Sequence, residues 1–144
     1  MPTGFVYTYA PDKTICLVAG VPLVGFGETA AIEISPVADL SSSKAGVDGD
    51  ISRSTGTDRR AEVKITLMLT SPSNDVLSAL VGVDLVVGGS LIPITVQNLL
   101  MRDLFVAPQS WLAKRPTIAY TREAGEREWT FQCLPAVWNV GGSF

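Results

Sequence analysis

The ten residues Ala61 to Thr70, AEVKITLMLT, put Ala61, Val63, Ile65, Leu67 and Leu69 on one side of an extended backbone and Glu62, Lys64, Thr66, Met68 and Thr70 on the other. A period of two sustained over that length suits a β-strand with one buried face and one mostly polar face. Whatever surrounds this strand must therefore supply a sheet and a core on one side of it.

The neighbouring segments point the same way. Lys13 to Ala19 (KTICLVA) and Leu23 to Phe26 (LVGF) flank Gly20-Val21-Pro22, which reads as a hairpin turn, and Thr29 to Val37 sets Ala30, Ile32 and Ile34 against Glu33 and Ser35. The N-terminal half is thus expected to be an antiparallel meander. Downstream, Leu91 to Val96 (LIPITV) alternates, with Pro93 marking an edge or strand start, and Leu99 to Val106 reads as a further strand. In Glu126 to Val137, Trp129, Phe131 and Cys133 alternate with Thr130 and Gln132, and Ala124-Gly125 is expected to turn this strand back onto Thr117 to Arg122. One segment has helical signals: Ser71 as cap, Pro72 at the first position, Val76, Leu77, Leu80 and Val81 on one face, and Gly82 as the stop, giving a helix over 72–82. No βαβ rhythm occurs, so a doubly wound nucleotide fold is not expected. The expected fold is mainly β, a two-sheet antiparallel sandwich or partly closed barrel with one flanking helix and a long inter-strand loop, in a single domain over 1–144.

Composition narrows the function. The chain has no histidine, which removes the commonest general base and the commonest metal ligand together. Cys16 and Cys133 stand alone in apolar contexts, without zinc or redox spacing, and read as buried core residues of a protein from a reducing compartment. The N-terminus lacks the pattern of a signal peptide, and Ile15 to Gly27 is too short and too rich in Gly and Pro to cross a bilayer, so a soluble intracellular protein is expected. A net charge of −3 disfavours gripping of DNA phosphates. Charged residues are 17% of the chain against an ordinary value of about 25%. Such scarcity suggests surface hidden by assembly.

Asp39 to Thr57 is long for a connection inside one domain, and Gly46 to Arg60, GVDGDISRSTGTDRR, holds three aspartates and three arginines. Asp48-Gly49-Asp50 resembles the start of a calcium loop, but the position eleven residues beyond Asp48, where a bidentate glutamate belongs, is Arg59. No G-x-x-x-x-G-K-[ST] phosphate loop is present, and Ser41-Ser42-Ser43 has no partner base. Asp48, Asp50 and Asp58 cancel Arg53, Arg59 and Arg60, and a charge-balanced segment suits a complementary protein surface better than a polyanion. A solvated loop whose charges only aid solubility is the bland alternative.

The run from Gly46 to Leu80 carries G-x-D-G-x-x-x-R-S, then a strand, then S-x-S-N-x-x-L at a helix start, and in this it resembles small structural proteins of tailed bacteriophages and is similar to tail tube proteins of contractile-tailed phages. Val18 to Glu28 (VAGVPLVGFGE) agrees with the same family. The resemblance implies a virion protein, made in the host cytoplasm, that assembles with itself into stacked, hexameric rings around a channel for DNA ejection. It implies as partners the surrounding tail sheath protein and the baseplate and tail-terminator proteins at the tube ends. DNA would pass through without specific binding, and no cofactor, metal, catalysis or membrane insertion is expected. By position, 38–57 matches the loop that reaches neighbouring subunits, so Lys44, Asp48, Asp50, Arg53, Asp58, Arg59 and Arg60 are candidate inter-subunit residues. Glu62, Lys64 and Thr66, on the polar side of their strand, are candidates for the lumen wall, with Glu33 and Ser35 as second candidates.

A ligand- or carbohydrate-binding β-sandwich of a baseplate or adhesin is the competing reading. It would use Trp111, Trp129, Trp138 and Tyr120 as a stacking platform, although the alternation around Trp129 favours burial for that residue.

Overall fold

The computed structural model of the chain describes residues 4, 6, 9, 14–26, 31–88 and 92–142. The alternating strand of the opening argument is β6 (Ala61–Met68), where Ala61, Val63, Ile65 and Leu67 are buried. It stops two residues short of the expected end. Leu69 and Thr70 turn instead, and the Leu69 N–H donates to the Gly125 carbonyl at 3.0 Å. β6 pairs antiparallel on one side with β3 (Ile32–Pro36) and on the other with β10 (Glu126–Leu134), and β9 (Gln109–Lys114) completes a four-stranded sheet in the order β3-β6-β10-β9.

The second sheet holds β1 (Thr14–Val18), β2 (Val21–Pro22), β7 (Ile94–Asn98), β8 (Leu104–Ala107) and β11 (Val137–Asn139), in the order β11-β8-β7-β1-β2. The two sheets are not closed into a barrel. Between them lies one core, to which Cys16, Val18, Ile94, Phe105 and Ala107 come from one sheet and Val63, Ile65, Leu67, Phe131 and Cys133 from the other. The expected sandwich is therefore present.

Several local expectations are corrected. The first hairpin turns on Ala19-Gly20, not on Gly20-Val21-Pro22, because Val18 pairs with Val21 and leaves a two-residue loop. Both loop residues have positive φ, 53° and 80°, as a turn matching the twist of its strands requires. The N-terminal meander is absent: β1 and β2 belong to one sheet and β3 to the other, and of Leu23 to Phe26 only Phe26 makes a bridge, to Leu67. Lys13, the first two residues of Thr29 to Val37, and Leu91 lie outside the described residues. Leu99 and Leu100 form a turn, so the strand expected over Leu99 to Val106 is only Leu104–Ala107. Thr117 to Arg122 is not a strand, and β10 takes β9 as its partner. Val137 belongs to the separate strand β11 in the other sheet.

The helix α1 spans Ser73–Val87, past the expected stop. Gly82 is exposed, and its cost of about 1 kcal/mol relative to Ala does not end a helix. Gly88, with φ 71°, ends it, its N–H bonding to the Asp84 carbonyl at 2.8 Å. At the start, Pro72 has helical dihedrals and the Ser71 Oγ accepts the Ser73 N–H at 3.2 Å. Leu77 and Val81 enter the core, whereas Val83, Leu85, Val86 and Val87 in the last turns are exposed.

One buried polar junction fixes α1 to the sheets. The Asn74 amide donates to the carbonyls of Met68 and Ser71 at 3.0 and 3.1 Å, and its Oδ1 accepts the Trp129 indole N–H at 3.0 Å. Asn74→Ala leaves the buried indole N–H without its acceptor and should lower unfolding free energy by about 1–3 kcal/mol, read from the denaturant midpoint. A second expectation concerns the buried thiols. Desolvation raises Cys16 to about 12 and Cys133 to about 11 from an ordinary 9.0. Both are therefore expected to resist a disulfide reagent at pH 8 until the protein unfolds. Because the folded state holds these protons more tightly, their contribution to stability is whole below pH 9 and is lost as pH rises towards 12.

Candidate functional site

The region expected to be a loop is a β-ribbon. β4 (Ser41–Ala45) and β5 (Ile51–Thr55) pair antiparallel in their own two-stranded sheet, and every residue of both is exposed. Small polar side chains on both faces leave no alternation to reveal the strands, which is why the sequence suggests an irregular connection. At the tip the Gly46 N–H bonds to the Asp50 carbonyl at 2.7 Å and the Gly49 N–H to the Gly46 carbonyl at 3.1 Å. Gly49 has φ 91°, which a side chain would disfavour. The Asp48 Oδ1 accepts the Asp50 N–H at 3.4 Å, and Val47 at the apex is fully exposed.

The ribbon springs from one end of the main sheet, with bends at Val37, Ala38 and Leu40 between them. Pro36 pairs with Ala61, the Val37 N–H bonds to the Arg60 carbonyl at 3.1 Å, and the Gly56 N–H bonds to the Leu40 carbonyl at 2.8 Å before Ser41 pairs with Thr55. The hairpin thus leaves from the Pro36/Ala61 end of β3 and β6. Lys44 stands opposite Ser52 and Arg53 opposite Ser43, placing the two cations on opposite faces of the ribbon.

Asp58, Arg59 and Arg60 sit at the root of the hairpin, where Asp58 and Arg60 are already partners. The Arg60 Nε and Nη2 donate to Asp58 Oδ1 and Oδ2 at 3.0 and 2.8 Å, and Nη1 donates to Gln132 Oε1 at 3.4 Å. Arg59 is exposed. The hydrogen bonds from Arg60 hold the Asp58 carboxyl near 2, below its ordinary 3.8. The pairing is therefore complete at neutral pH and is lost as pH falls through about 2. Carboxyl titration followed by NMR should give Asp58 that low midpoint, and Arg60→Gln should return it towards about 4.

The candidate wall residues converge on one surface. Glu33 pairs with Lys64, Ser35 with Glu62, Lys64 with Thr130, Glu62 with Gln132, and Thr66 with Glu128. Directly opposed residues point to the same side, so both sets of candidates lie on the outer face of the β3-β6-β10-β9 sheet, away from the core. The sequence alone treats them as alternatives. Glu126 and Lys114 extend the same face through Met68 and Thr130. It carries four carboxylates (Glu33, Glu62, Glu126, Glu128) and two ammonium groups (Lys64, Lys114), with Lys64 Nζ 3.6 Å from Glu62 Oε1. Its edges are β3 and β9.

Sequence reasoning passes over Arg127. It is opposite Leu67, on the core side of β10 with Trp129 and Phe131, and its Nε is buried without an acceptor among the described residues. The signal is present in Glu126 to Phe131 (EREWTF), where an arginine occupies an inward position of an alternating strand. The tryptophans do not form a platform. Trp129 is buried, Trp111 lies on β9, and Trp138 packs edge-to-face on Phe105 with centroids 5.6 Å apart. Among the described residues no group of three or more carboxylate, thiol or imidazole side chains could hold a metal, and no helix is long and apolar enough to cross a membrane.

Known proteins share both the sequence pattern and the architecture. A structural protein, ORF10, of Pseudomonas phage KPP10 is 22% identical over 148 residues, covering 97% of this chain and 86% of its own length. The cap that terminates the tube of the anti-feeding prophage superposes with a TM-score of 0.59 at 9% identity, over 92% of this chain and 91% of its own. A chain of the sheath-tube complex of an extracellular contractile injection system gives 0.56 at 11% identity, over 96% of this chain and 93% of its own. These solved structures establish a shared fold. The pattern of the Bacteriophage PhiTE tail tube protein family matches residues 12–138, nearly the whole sandwich and all of the hairpin, and the chain therefore belongs to that family of phage tail structural proteins.

Proposed function

We propose that copies of this chain assemble into stacked hexameric rings that form the inner tube of the tail, the conduit through which DNA leaves the particle. The observation that carries this reading is the outer face of the β3-β6-β10-β9 sheet, where four carboxylates and two ammonium groups stand beside the apolar Met68, Trp111 and Leu134, acidic in balance and flanked by two edges. Copies set side by side, with β9 of one approaching β3 of the next, make a continuous wall with that face towards the bore. Glu33, Ser35, Glu62, Lys64 and Thr66 then line the lumen. An excess of carboxylates there repels phosphates and lets DNA slide without capture.

The hairpin supplies the contact between subunits. Its exposed strands and mixed charges offer hydrogen bonds and ion pairs to a neighbour in place of a hydrophobic anchor. Apolar side chains elsewhere, such as Val86 at 87% exposure and Val87 at 73%, would be covered by further copies or by the surrounding sheath protein, with baseplate and terminator proteins closing the tube ends. The role is structural, without a chemical step.

Deleting Ser42 to Thr55 and bridging the gap with Gly and Ser should leave a β-rich folded monomer that forms no tubes. Circular dichroism checks the first outcome and negative-stain microscopy the second. Tubes of normal length from the deletion variant would refute the role of the hairpin, and failure of the intact protein to assemble under any condition would refute the tube itself.

A further inference from the structure

Aspartate followed by glycine occurs once in the chain, at Asp48-Gly49, and no asparagine precedes a glycine. The pair sits at the tip of the β4-β5 hairpin, where both residues are exposed. Glycine puts no side chain beside its own nitrogen, and a Cβ built on Gly49 would meet no heavy atom within 4 Å apart from its chain neighbours. The peptide nitrogen between the two residues is therefore open to approach. The Asp48 carboxylate, meanwhile, is folded back over the turn, its Oδ1 3.4 Å from the Asp50 nitrogen and 2.8 Å from where a Cβ on Gly46 would stand. A carboxyl held against the backbone and an unhindered amide nitrogen on the next residue are the two reactants of one intramolecular reaction.

We propose that Asp48-Gly49 is a site of spontaneous backbone isomerisation. The Gly49 nitrogen attacks Asp48 Cγ and a C–N bond forms, while the amide hydrogen and the carboxyl hydroxyl leave together as water, which gives a five-membered succinimide ring. Water then adds to one of the two ring carbonyls. Breaking the bond from the nitrogen to Cγ restores aspartate. Breaking the bond from the nitrogen to the Asp48 carbonyl carbon leaves the chain running through Cβ and Cγ as isoaspartate, with the former backbone carbonyl carbon now a free carboxylate. Nothing is oxidised or reduced, water is the only co-reactant, and mass and net charge are unchanged.

Two hydrogen bonds restrain the step. The Gly49 N–H donates to the Gly46 carbonyl at 3.1 Å, and the Asp50 N–H holds Asp48 Oδ1 at a long 3.4 Å. Both must break first. They lie at the end of a two-stranded ribbon without a single buried residue, so opening them costs far less than opening the sandwich. The other aspartates on described backbone, at 39, 50, 58, 75, 84 and 103, precede Leu, Ile, Arg, Val, Leu and Leu, whose side chains crowd the nitrogen. Isomerisation lengthens the main chain by one atom, which displaces the bonds from Gly46 to Asp50 and from Gly49 to Gly46 that close the turn. Aged chains thus carry a different tip. They also carry a new methyl acceptor, since the liberated α-carboxylate is the group that isoaspartyl O-methyltransferases esterify from S-adenosylmethionine. This chemistry does not depend on assembly.

The test incubates the purified full chain near neutral pH for several weeks, one sample folded and one held unfolded in denaturant. Isoaspartate is counted by enzymatic methyl transfer from S-adenosylmethionine and located by electron-transfer fragmentation, which separates the two isomers at equal mass. In the folded sample the methyl acceptor should grow with time and map to residue 48, several-fold above Asp50 and Asp58. Asp48→Glu, whose ring would have six members, should remove most of that growth, and a melting curve establishes that the variant is folded. Growth no faster at 48 than at 50, growth confined to the unfolded sample, or growth that survives Asp48→Glu would each overturn the site in the native protein.

Discussion

The molecule depends on the pairing of β6 with strands on both of its edges. Eight consecutive residue pairs tie it to β10, from Ala61–Cys133 to Met68–Glu126, and five tie it to β3. Because the side-chain period is two, this register decides at once which residues become core and which become wall. Ala61, Val63, Ile65 and Leu67 meet Phe131, Trp129 and the facing sheet, while Glu62, Lys64 and Thr66 join Glu33, Ser35 and Gln132 outside. A slip of β6 by one residue would bury the Glu62 carboxylate and the Lys64 ammonium and expose Ala61, Val63, Ile65 and Leu67. The polar surface and the core are thus two products of one constraint.

The same constraint explains what could be read from the sequence. β6 and β10 are buried on one face only, so their alternation is printed in the residues, and the burial of Trp129, Phe131 and Cys133 follows from it. Helix α1 was legible in its start, through Ser71 and Pro72, but its end was confused by two glycines of different character: Gly82 lies in a continuing helix and Gly88 in a left-handed cap. What escaped was pairing. The step from β2 to β3 changes sheets, and the partner of β10 is β9, beyond an irregular stretch, where the local pattern favours a turn at Ala124-Gly125. Such choices are made by the shared core over long sequence separations, and local patterns do not encode them.

The candidate residues divide in the same manner. The wall residues could be named from alternation, but only the registers of β3 and β10 against β6 unite them on one face. The charges of the 46–60 segment could be counted but not sorted: Asp58 and Arg60 satisfy each other at the root, while Asp48 and Asp50 stand at the tip. Charge balance over a segment does not distinguish internal pairing from complementarity towards a partner. Arg127 was hidden for the opposite reason, since it occupies a core-side position where a charge is not expected.

The hydrogen bonds from the Val37 N–H to the Arg60 carbonyl and from the Gly56 N–H to the Leu40 carbonyl tie the ribbon to the central strands. A load on the tip reaches β3 and β6 together and in the same direction, and the eight residue pairs between β6 and β10 are what resist it. The fully exposed hairpin is thereby braced by the most heavily paired strand. Resistance to a load on the hairpin is thus built into the topology of the single chain.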